Sequence, residues 1–423
     1  MTEQEFALAV AASGGRAYVV GGWVRDSLRG KEAHDKDYVV TGFSKESFEK
    51  AFPQAKLVGQ AFPVFLLKIG ESCCEVALAR QEHKHGRGYR GFLVEAGAHI
   101  VIEEDLYRRD LTVNSMAMDI LTGDIIDPYH GREDLKEGIL RQVSGHFGED
   151  PVRALRAARL SARLGFLPAP QLVAAMRQCR EELKQEPSER LLGELQKALE
   201  TKKPAAFFKM LQVAGLLDIA YPEIYNLIGK TQPQAYHPEG DAFEHSMLIL
   251  SRVADRTLGI VARFCALCHD LGKGSTPKEM LPHHYGHEQR GLLVLQQWNS
   301  HMTLPTAWLR AAQFVISQHM RAPHLVRARK ICDLLLAMDA ASGDLSVEDF
   351  KYIVDADNHG LPDYMEHAQE GIALLKAVSG KDAPRELSGR KIGEWVYERQ
   401  QQACSQWLNS LRHEPQNDIE NLL

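Results

Sequence analysis

Apolar and polar residues follow two different patterns along this chain. In the first third, short β-branched or aromatic runs at residues 17–20, 38–40, 62–69 and 74–79 are separated by Gly and polar breaks, as strands are. From about residue 149 the apolar positions recur at helical spacing, in long stretches rich in Ala, Leu, Glu, Arg and Gln that break at Gly165, Pro187, Pro204, Gly215 and Pro222. The pattern predicts an α+β head, with a small mixed or antiparallel sheet, followed by an all-α remainder. A polar, Pro-containing stretch over 229–241 reads as a linker before a further helical unit. Beyond about residue 370 the chain reads as a polar helical tail. No internal repeat or low-complexity tract interrupts this plan.

Composition narrows the class. A chain of 423 residues, 44% hydrophobic, has material for roughly two to four packed domains. No run approaches the roughly 20 apolar residues that span a bilayer, and the N-terminus lacks the basic-then-apolar pattern of a secretory signal. The expectation is a cytoplasmic protein with no membrane association and no obligate protein partner. Seven scattered cysteines, an odd number, predict reduced thiols. The formal net charge of -6 is unlike that of a basic nucleic-acid-binding domain. Cationic clusters are local: Arg108-Arg109, then Arg153, Arg156 and Arg159, then 319–330 with Arg321, Arg327 and Arg329, which reads as a solvated helix face.

Four pieces of the first half carry chemistry in order. The strand at 17–20 runs into Gly21-Gly22 and then Trp23-Val24-Arg25-Asp26, a turn that lets backbone N–H groups approach a phosphate, with Arg25 able to add charge-assisted bonds. Asp35-Lys36-Asp37 leads into the next strand. Residues two apart on a strand share a face, so Asp35 and Asp37 are expected to present paired carboxylates to divalent ions. Arg108-Arg109-Asp110 follows, read as guanidinium forks facing a triphosphate and held rigid by the adjacent Asp, with Arg109 the predicted phosphate contact. Glu149-Asp150-Pro151-Val152-Arg153 then opens a helix that continues to Arg156 and Arg159. Cytosine and adenine both offer an exocyclic amine beside a ring-nitrogen acceptor. One Asp acceptor next to one Arg donor would take C and A and reject U and G.

In this order GGWVRDSLRG, DKD, RRDLTVNSMA, DPYHG, EDPVRALRAARL and PSERLLGEL resemble the motifs of class II tRNA nucleotidyltransferases, the CCA-adding enzymes, over roughly residues 16 to 225. The resemblance implies Mg²⁺ on Asp35 and Asp37, nucleotide contacts from Gly22, Arg25, Arg109, Arg156 and Arg159, and base reading by Asp150 and Arg153. It implies a tRNA acceptor end as partner and CTP and ATP as substrates. The segment 81–92, with His83, His85, Gly86 and Gly88, is similar to the family's flexible loop, which goes with adding the terminal A. Two departures stand out: an extra N-terminal segment, 1–15, and Trp23 where the family has small residues.

Downstream, His245, Cys268-His269-Asp270-Leu271-Gly272-Lys273, His283, His284, His287, His319 and Asp357 supply imidazoles and carboxylates of the kind first-row divalent metals accept. The arrangement resembles HD-domain phosphohydrolases, with His245, His269, Asp270 and Asp357 matching their ligand set. It implies a divalent transition metal and phosphatase and 2′,3′-cyclic phosphodiesterase activity. His287 and His319 are candidates for substrate contact or a second ion. The expected plan is a nucleotidyltransferase head over 1–145, a helical neck and body over 146–228, an all-α HD domain over 229–370 and a helical tail over 371–423. Gly272-Lys273-Gly274-Ser275 lacks the spacing of a P-loop, and Cys265 with Cys268 reads as a pair of buried core thiols. The rival readings are a poly(A) polymerase, an HD phosphohydrolase whose head binds RNA without catalysis, and a non-enzymatic RNA-binding protein.

Overall fold

The β-branched runs of the first part form a seven-stranded mixed sheet, in the computed structural model, which describes residues 1–33, 35–58, 64–84 and 92–413. Its strands are β1 (Arg16–Val20), β2 (Asp37–Thr41), β3 (Lys56–Val58), β4 (Val64–Ile69), β5 (Ser72–Leu78), then, past a separate hairpin of β6 (Arg80–Lys84) and β7 (Phe92–Ala96), β8 (Ala117–Asp119) and β9 (Ile125–Ile126). The order is β3-β4-β5-β2-β1-β8-β9, with β2 and β5 parallel and the other neighbours antiparallel. The sheet puts β2, with its motif, at the centre. Of the predicted loop over 81–92, His85, Gly86 and Gly88 lie outside the described residues.

Helices α1 (Glu3–Ala12), α2 (Gly22–Leu28) and α3 (Lys45–Ala51) accompany the sheet, and Phe6, Val10 and Phe48 join Val19, Val40, Phe65 and Val76 in one buried cluster. The extra N-terminal segment is therefore part of the core. It also reaches the central motif: Glu3 accepts from Lys36 Nζ with both oxygens at 2.8 Å and from the Tyr38 hydroxyl at 2.8 Å. The Lys36 ammonium lies 4.5 Å from the centre of the Trp23 ring, a cation–π distance. Both departures from the family pattern thus converge on the lysine between Asp35 and Asp37.

Past α4 (Ile102–Tyr107) and α5 (Gly131–Glu137), the helical stretch begins with α6 (Val152–Leu164) and continues through α7 (Pro170–Gln178), α8 (Arg180–Leu183), α9 (Ser188–Leu199), α10 (Pro204–Ala214) and α11 (Leu217–Ala220). The predicted breakers act as caps: Gly165 and Gly215 close α6 and α10 in the left-handed region, and Pro204 opens α10.

The chain divides into two compact units, Met1–Ala220 and Tyr221–Leu423. The second contains α12 (Pro222–Tyr225), α13 (Ala242–Ala254), α14 (Ile260–Cys268), α15 (His287–His301), α16 (Thr306–Gln318), α17 (Ala328–Ala341), α18 (Val347–Asn358), α19 (Asp363–Glu366), α20 (Ala368–Ala377) and α21 (Arg390–His413). The stretch over 229–241 is not an open linker. Gly229 N–H donates to Asp241 Oδ2 at 2.7 Å and Gln232 N–H to the Gly240 carbonyl at 3.0 Å, so it closes on itself at the start of α13. The turn at α12 also belongs to the second unit, where Tyr221 packs on Trp298 and His301 pairs with Glu223 at 2.7 Å. Among the described residues no helix is long and apolar enough to cross a membrane.

Candidate functional site

In the first unit, strand register assembles a cluster of carboxylates. Antiparallel pairing sets Val20 of β1 opposite Asp37 of β2, beside the Gly21-Gly22 turn. Gly21 sits at φ 73°, ψ -133°, a conformation that a side chain would strain. Parallel pairing of Tyr38 with Val76 places Glu75 of β5 next to Asp37. Desolvation raises the Asp37 carboxyl above its usual range, Glu75 raises it further, and Arg109 opposes them. Asp35 precedes β2, so the strict alternation expected of the pair does not extend to it; it is nonetheless close enough to add to the rise at Asp37. Three oxygen-donor groups that repel one another suit a hard divalent cation such as Mg²⁺. Glu75 is the residue that motif reading missed, because only strand pairing brings it to Asp37.

Asp37 and Glu75 border a cavity of about 510 Å³, lined, among the described residues, by eight arginines against three acidic side chains. This local excess resolves the conflict between an acidic chain and an anionic substrate. Seven of the eight arginines are braced from behind. Arg25, buried, donates through Nε and Nη2 to Asp26 at 2.9 and 2.7 Å and through Nη1 to Asn114 at 2.5 Å. Arg108 and Arg109 were expected to be held by Asp110. They are held instead by Asp105, fully buried on α4, whose Oδ1 accepts from Arg108 (3.1 and 2.7 Å) and Oδ2 from Arg109 (3.3 and 3.0 Å). The reason is helical geometry, since Asp105 lies three and four residues before them whereas Asp110 follows the helix. Burial alone would raise the Asp105 carboxyl; Arg108 and Arg109 hold it down at about 2. Asp110 accepts from the Leu111 N–H at 2.8 Å and pairs with Arg156 at 3.4 Å.

On α6, Arg153, Arg156, Arg159 and Arg163 recur at spacings of three and four and all line the cavity. Arg159 is anchored on Glu194 at 2.6 Å, Arg163 on Asp26 at 3.1 Å, and Arg153 on the His146 carbonyl at 2.7 Å. Of the predicted residues, Gly22, Arg25, Asp37, Arg109, Arg153, Arg156 and Arg159 share this cavity. Asp35 lines two neighbouring cavities instead. Asp150, just before α6, lies outside the lining and accepts from Arg190 Nη2 with both oxygens at 3.0 Å.

In the second unit the four predicted metal ligands meet, joined by His287 and His319. His245 Nε2 is 3.0 Å from Asp357 Oδ1, 3.3 Å from His269 Nε2 and 3.6 Å from Asp270 Oδ2. His269 Nε2 is 3.2 Å from the same Asp270 oxygen, and His287 and His319 face the other oxygen. Glu239, from the closed loop before α13, takes His245 Nδ1 at 2.5 Å. Burial alone would lower the His245 imidazole; Asp357 and Glu239 raise it to about 9. That excess of negative charge and the mixed nitrogen and oxygen donors fit a divalent transition metal. Gly272 explains the Leu-Gly-Lys string: a Cβ there would stand 1.8 Å from the His287 carbonyl, so only glycine lets α15 approach. His283 stacks on Tyr285, and His284 bonds Thr276 at 2.8 Å. Cys265 and Cys268 are free, buried core thiols.

Comparison with known proteins agrees with the first unit's geometry. Residues 17–141 match the poly A polymerase head domain, and 165–227 match the probable RNA and SrmB-binding site of polymerase A. The Multifunctional CCA protein of Thioalkalivibrio sulfidiphilus is 39% identical over 92% of this chain and 98% of its own length. That of Mannheimia succiniciproducens is 43% identical over 72% of this chain and 74% of its own. In fold, the chain is similar to the Bacillus stearothermophilus CCA-adding enzyme in complex with CTP, with a TM-score of 0.63, 23% identity and coverage of 96% and 92% of the two chains. It is also similar to the Thermotoga maritima CCA-adding enzyme complexed with tRNA-CCA, at a TM-score of 0.59, 21% identity and coverage of 97% and 96%. The chain belongs to the class II CCA-adding enzymes, the tRNA nucleotidyltransferases.

Proposed function

We propose that the arginine-lined cavity takes CTP and then ATP and that the enzyme adds C, C and A, without a template, to the 3′ end of tRNA. The observation that carries this reading is the gathering of eight arginines, seven of them braced, with the carboxylates at the glycine turn. Arg25, Arg109, Arg156 and Arg159 grip the triphosphate, with Gly22 beside it, and align its α-phosphate with the terminal ribose 3′-hydroxyl. The 3′-oxygen bonds to the α-phosphorus, the bond to the β-phosphate oxygen breaks, and pyrophosphate leaves. Asp35, Asp37 and Glu75 would hold Mg²⁺, which neutralises charge on the phosphates and makes the hydroxyl more acidic. Asp35 accepts the hydroxyl proton. Asp150, turned from Arg190, and Arg153 read the pairing edge shared by C and A. Arginine bracing serves this chemistry because side chains already fixed lose little freedom when a phosphate binds.

Supplying tRNA that lacks CCA with single nucleotides tests the assignment. CTP alone should extend it by two residues, and CTP with ATP should complete it. Long tails from ATP alone would make the protein a poly(A) polymerase.

A second activity is favoured by the histidine cluster. His245, His269, Asp270 and Asp357 would hold a divalent transition metal, which activates water for attack on phosphate esters. The substrates on this reading are phosphomonoesters and 2′,3′-cyclic phosphates. Full-length protein loaded with Ni²⁺ or Mn²⁺ should hydrolyse p-nitrophenyl phosphate and 2′,3′-cyclic AMP, and His269→Ala should not. On the same reading the body over 146–228 presents the base-reading residues, the hydrolase spans 229–370 ahead of the tail, and the enzyme works in the cytoplasm on tRNA.

A further inference from the structure

Beside the arginine cavity of the first unit lies a smaller one that the proposed chemistry does not use. It encloses about 320 Å³, at the small end of the roughly 300–1,000 Å³ typical of ligand pockets, which is room for a single base rather than a nucleoside triphosphate. Its walls are aromatic: Tyr107, the last residue of α4, meets Tyr129 and His146 there. The two cavities share a partition. Arg108 lines both. His146 sets its ring against Tyr107, while its carbonyl accepts at 2.7 Å from Arg153, which lines the larger cavity.

The three rings touch without covering one another. The Tyr129 centroid is 5.7 Å from that of Tyr107 with the planes 44° apart, and the His146 centroid is 5.4 Å away at 81°. Neither ring lies flat on Tyr107, which stays 45% exposed, so π surface is left for a flat ligand. The platform is already held in place. The Tyr129 hydroxyl donates to the Glu103 carbonyl at 2.9 Å, and the Tyr107 carbonyl accepts from the Ser144 hydroxyl at 3.1 Å. Groups fixed in advance lose little freedom when a ligand stacks on them.

Charge separates the two cavities by what each would take. Glu103 and Glu104 line the aromatic one. Glu104 is spent on Gln81 Nε2 at 2.9 Å and on the Val101 N–H at 3.1 Å, whereas Glu103 is exposed at the rim. Carboxylates repel a phosphate and accept from the exocyclic amine of cytosine or adenine. The arginine cavity suits the phosphates of a nucleotide, and the aromatic cavity suits a base.

We propose that the aromatic cavity is a subsite for the RNA strand: an unpaired cytosine or adenine of the single-stranded 3′ end stacks on Tyr107, between Tyr129 and His146, while the incoming nucleotide occupies the arginine cavity. Unpaired RNA bases are commonly held on aromatic side chains in this way. The inference rests on the CCA-addition reading for the identity of the RNA.

The test titrates fluorescently labelled tRNA ending in CC with full-length protein, in the absence of nucleotide, and reads anisotropy. A second tRNA carries abasic nucleotides in place of its two terminal cytosines. Tyr107→Ala, checked for folding by circular dichroism, should weaken binding of the intact tRNA about tenfold and change binding of the abasic tRNA by less than about twofold. Tyr107→Phe, which keeps the ring, should bind both as the parent does. Equal weakening on the two tRNAs would reduce Tyr107 to a structural role, and that result, or no weakening on either, would overturn the proposal. A raised KM for CTP or ATP with tRNA binding unchanged would place the incoming base in the cavity and overturn it as well. The expected binding pattern in a protein that adds neither C nor A to the intact tRNA would uphold the subsite and sink the CCA-addition reading.

Discussion

The arginine cavity and the histidine cluster both gather polar groups suited to phosphate chemistry, yet they treat burial and charge in opposite ways. Around the cavity the buried groups are braces: Asp105 is fully enclosed and spends its charge on Arg108 and Arg109, whereas Asp35, Asp37 and Glu75 stay exposed. In the histidine cluster the ligand atoms themselves are enclosed, and three have no hydrogen-bond partner among the described residues. Charges paired in advance can be buried cheaply and still present a free edge to a large substrate. Lone pairs with no donor cannot, unless a cation lies among them. On the proposed function, the same contrast would separate a site that must open for each nucleotide from one that holds its ion between turnovers.

The largest expected effect breaks the contrast at its exposed side. Asp37→Ala should lower CCA addition on the order of a thousandfold, measured by single-turnover incorporation of labelled CTP, with hydrolysis at the histidine cluster unchanged. Next comes the buried brace. The Asp105 carboxyl is held at about 2 in the folded chain against about 3.9 when unfolded, so it contributes about 2–3 kcal/mol that is fully present above pH ~4 and lost as the pH falls through the folded value. Asp105→Asn should therefore be less stable by that amount in urea melts at pH 7, raise the KM for CTP, and converge with the parent in stability near pH 2. Glu75→Gln should lower kcat about tenfold with little change in the KM for CTP, because it adjusts the carboxylate cluster and leaves the arginines alone. Smallest, Glu3→Gln should cost under about 1 kcal/mol, since the partly exposed Glu3 and Lys36 pair is screened by water, and should leave addition within about twofold.

These residues also mark how far the sequence could be read. Strand and helix periodicity gave the head, the helical stretch and its Gly and Pro caps, because such patterns are local. The ordered motifs gave seven residues that share the cavity. Glu75 was invisible, since β2 and β5 pair in parallel across an intervening excursion and no local pattern encodes their register. Asp105 was legible in principle: an acid in the last turn of a helix, three and four residues before Arg108 and Arg109 just past its end, is a recognisable brace, but sequence adjacency drew attention to Asp110 instead. The loop over 229–241 looked like a linker because it is polar and Pro-containing, yet those polar groups are what bond it to itself and bring Glu239 to His245. Asp150 was read as a base-reading residue and is seen paired with Arg190, a contact between elements far apart in sequence.

On the proposed function, one chain carries two separable phosphate chemistries, nucleotide addition at Asp37 and hydrolysis at the histidine cluster. Its most direct test assays three full-length proteins, the parent, Asp37→Ala and His269→Ala, for completion of CCA on shortened tRNA and for hydrolysis of 2′,3′-cyclic AMP. Asp37→Ala should lose only addition and His269→Ala only hydrolysis. Loss of both activities from either substitution, or addition that survives Asp37→Ala, would contradict it.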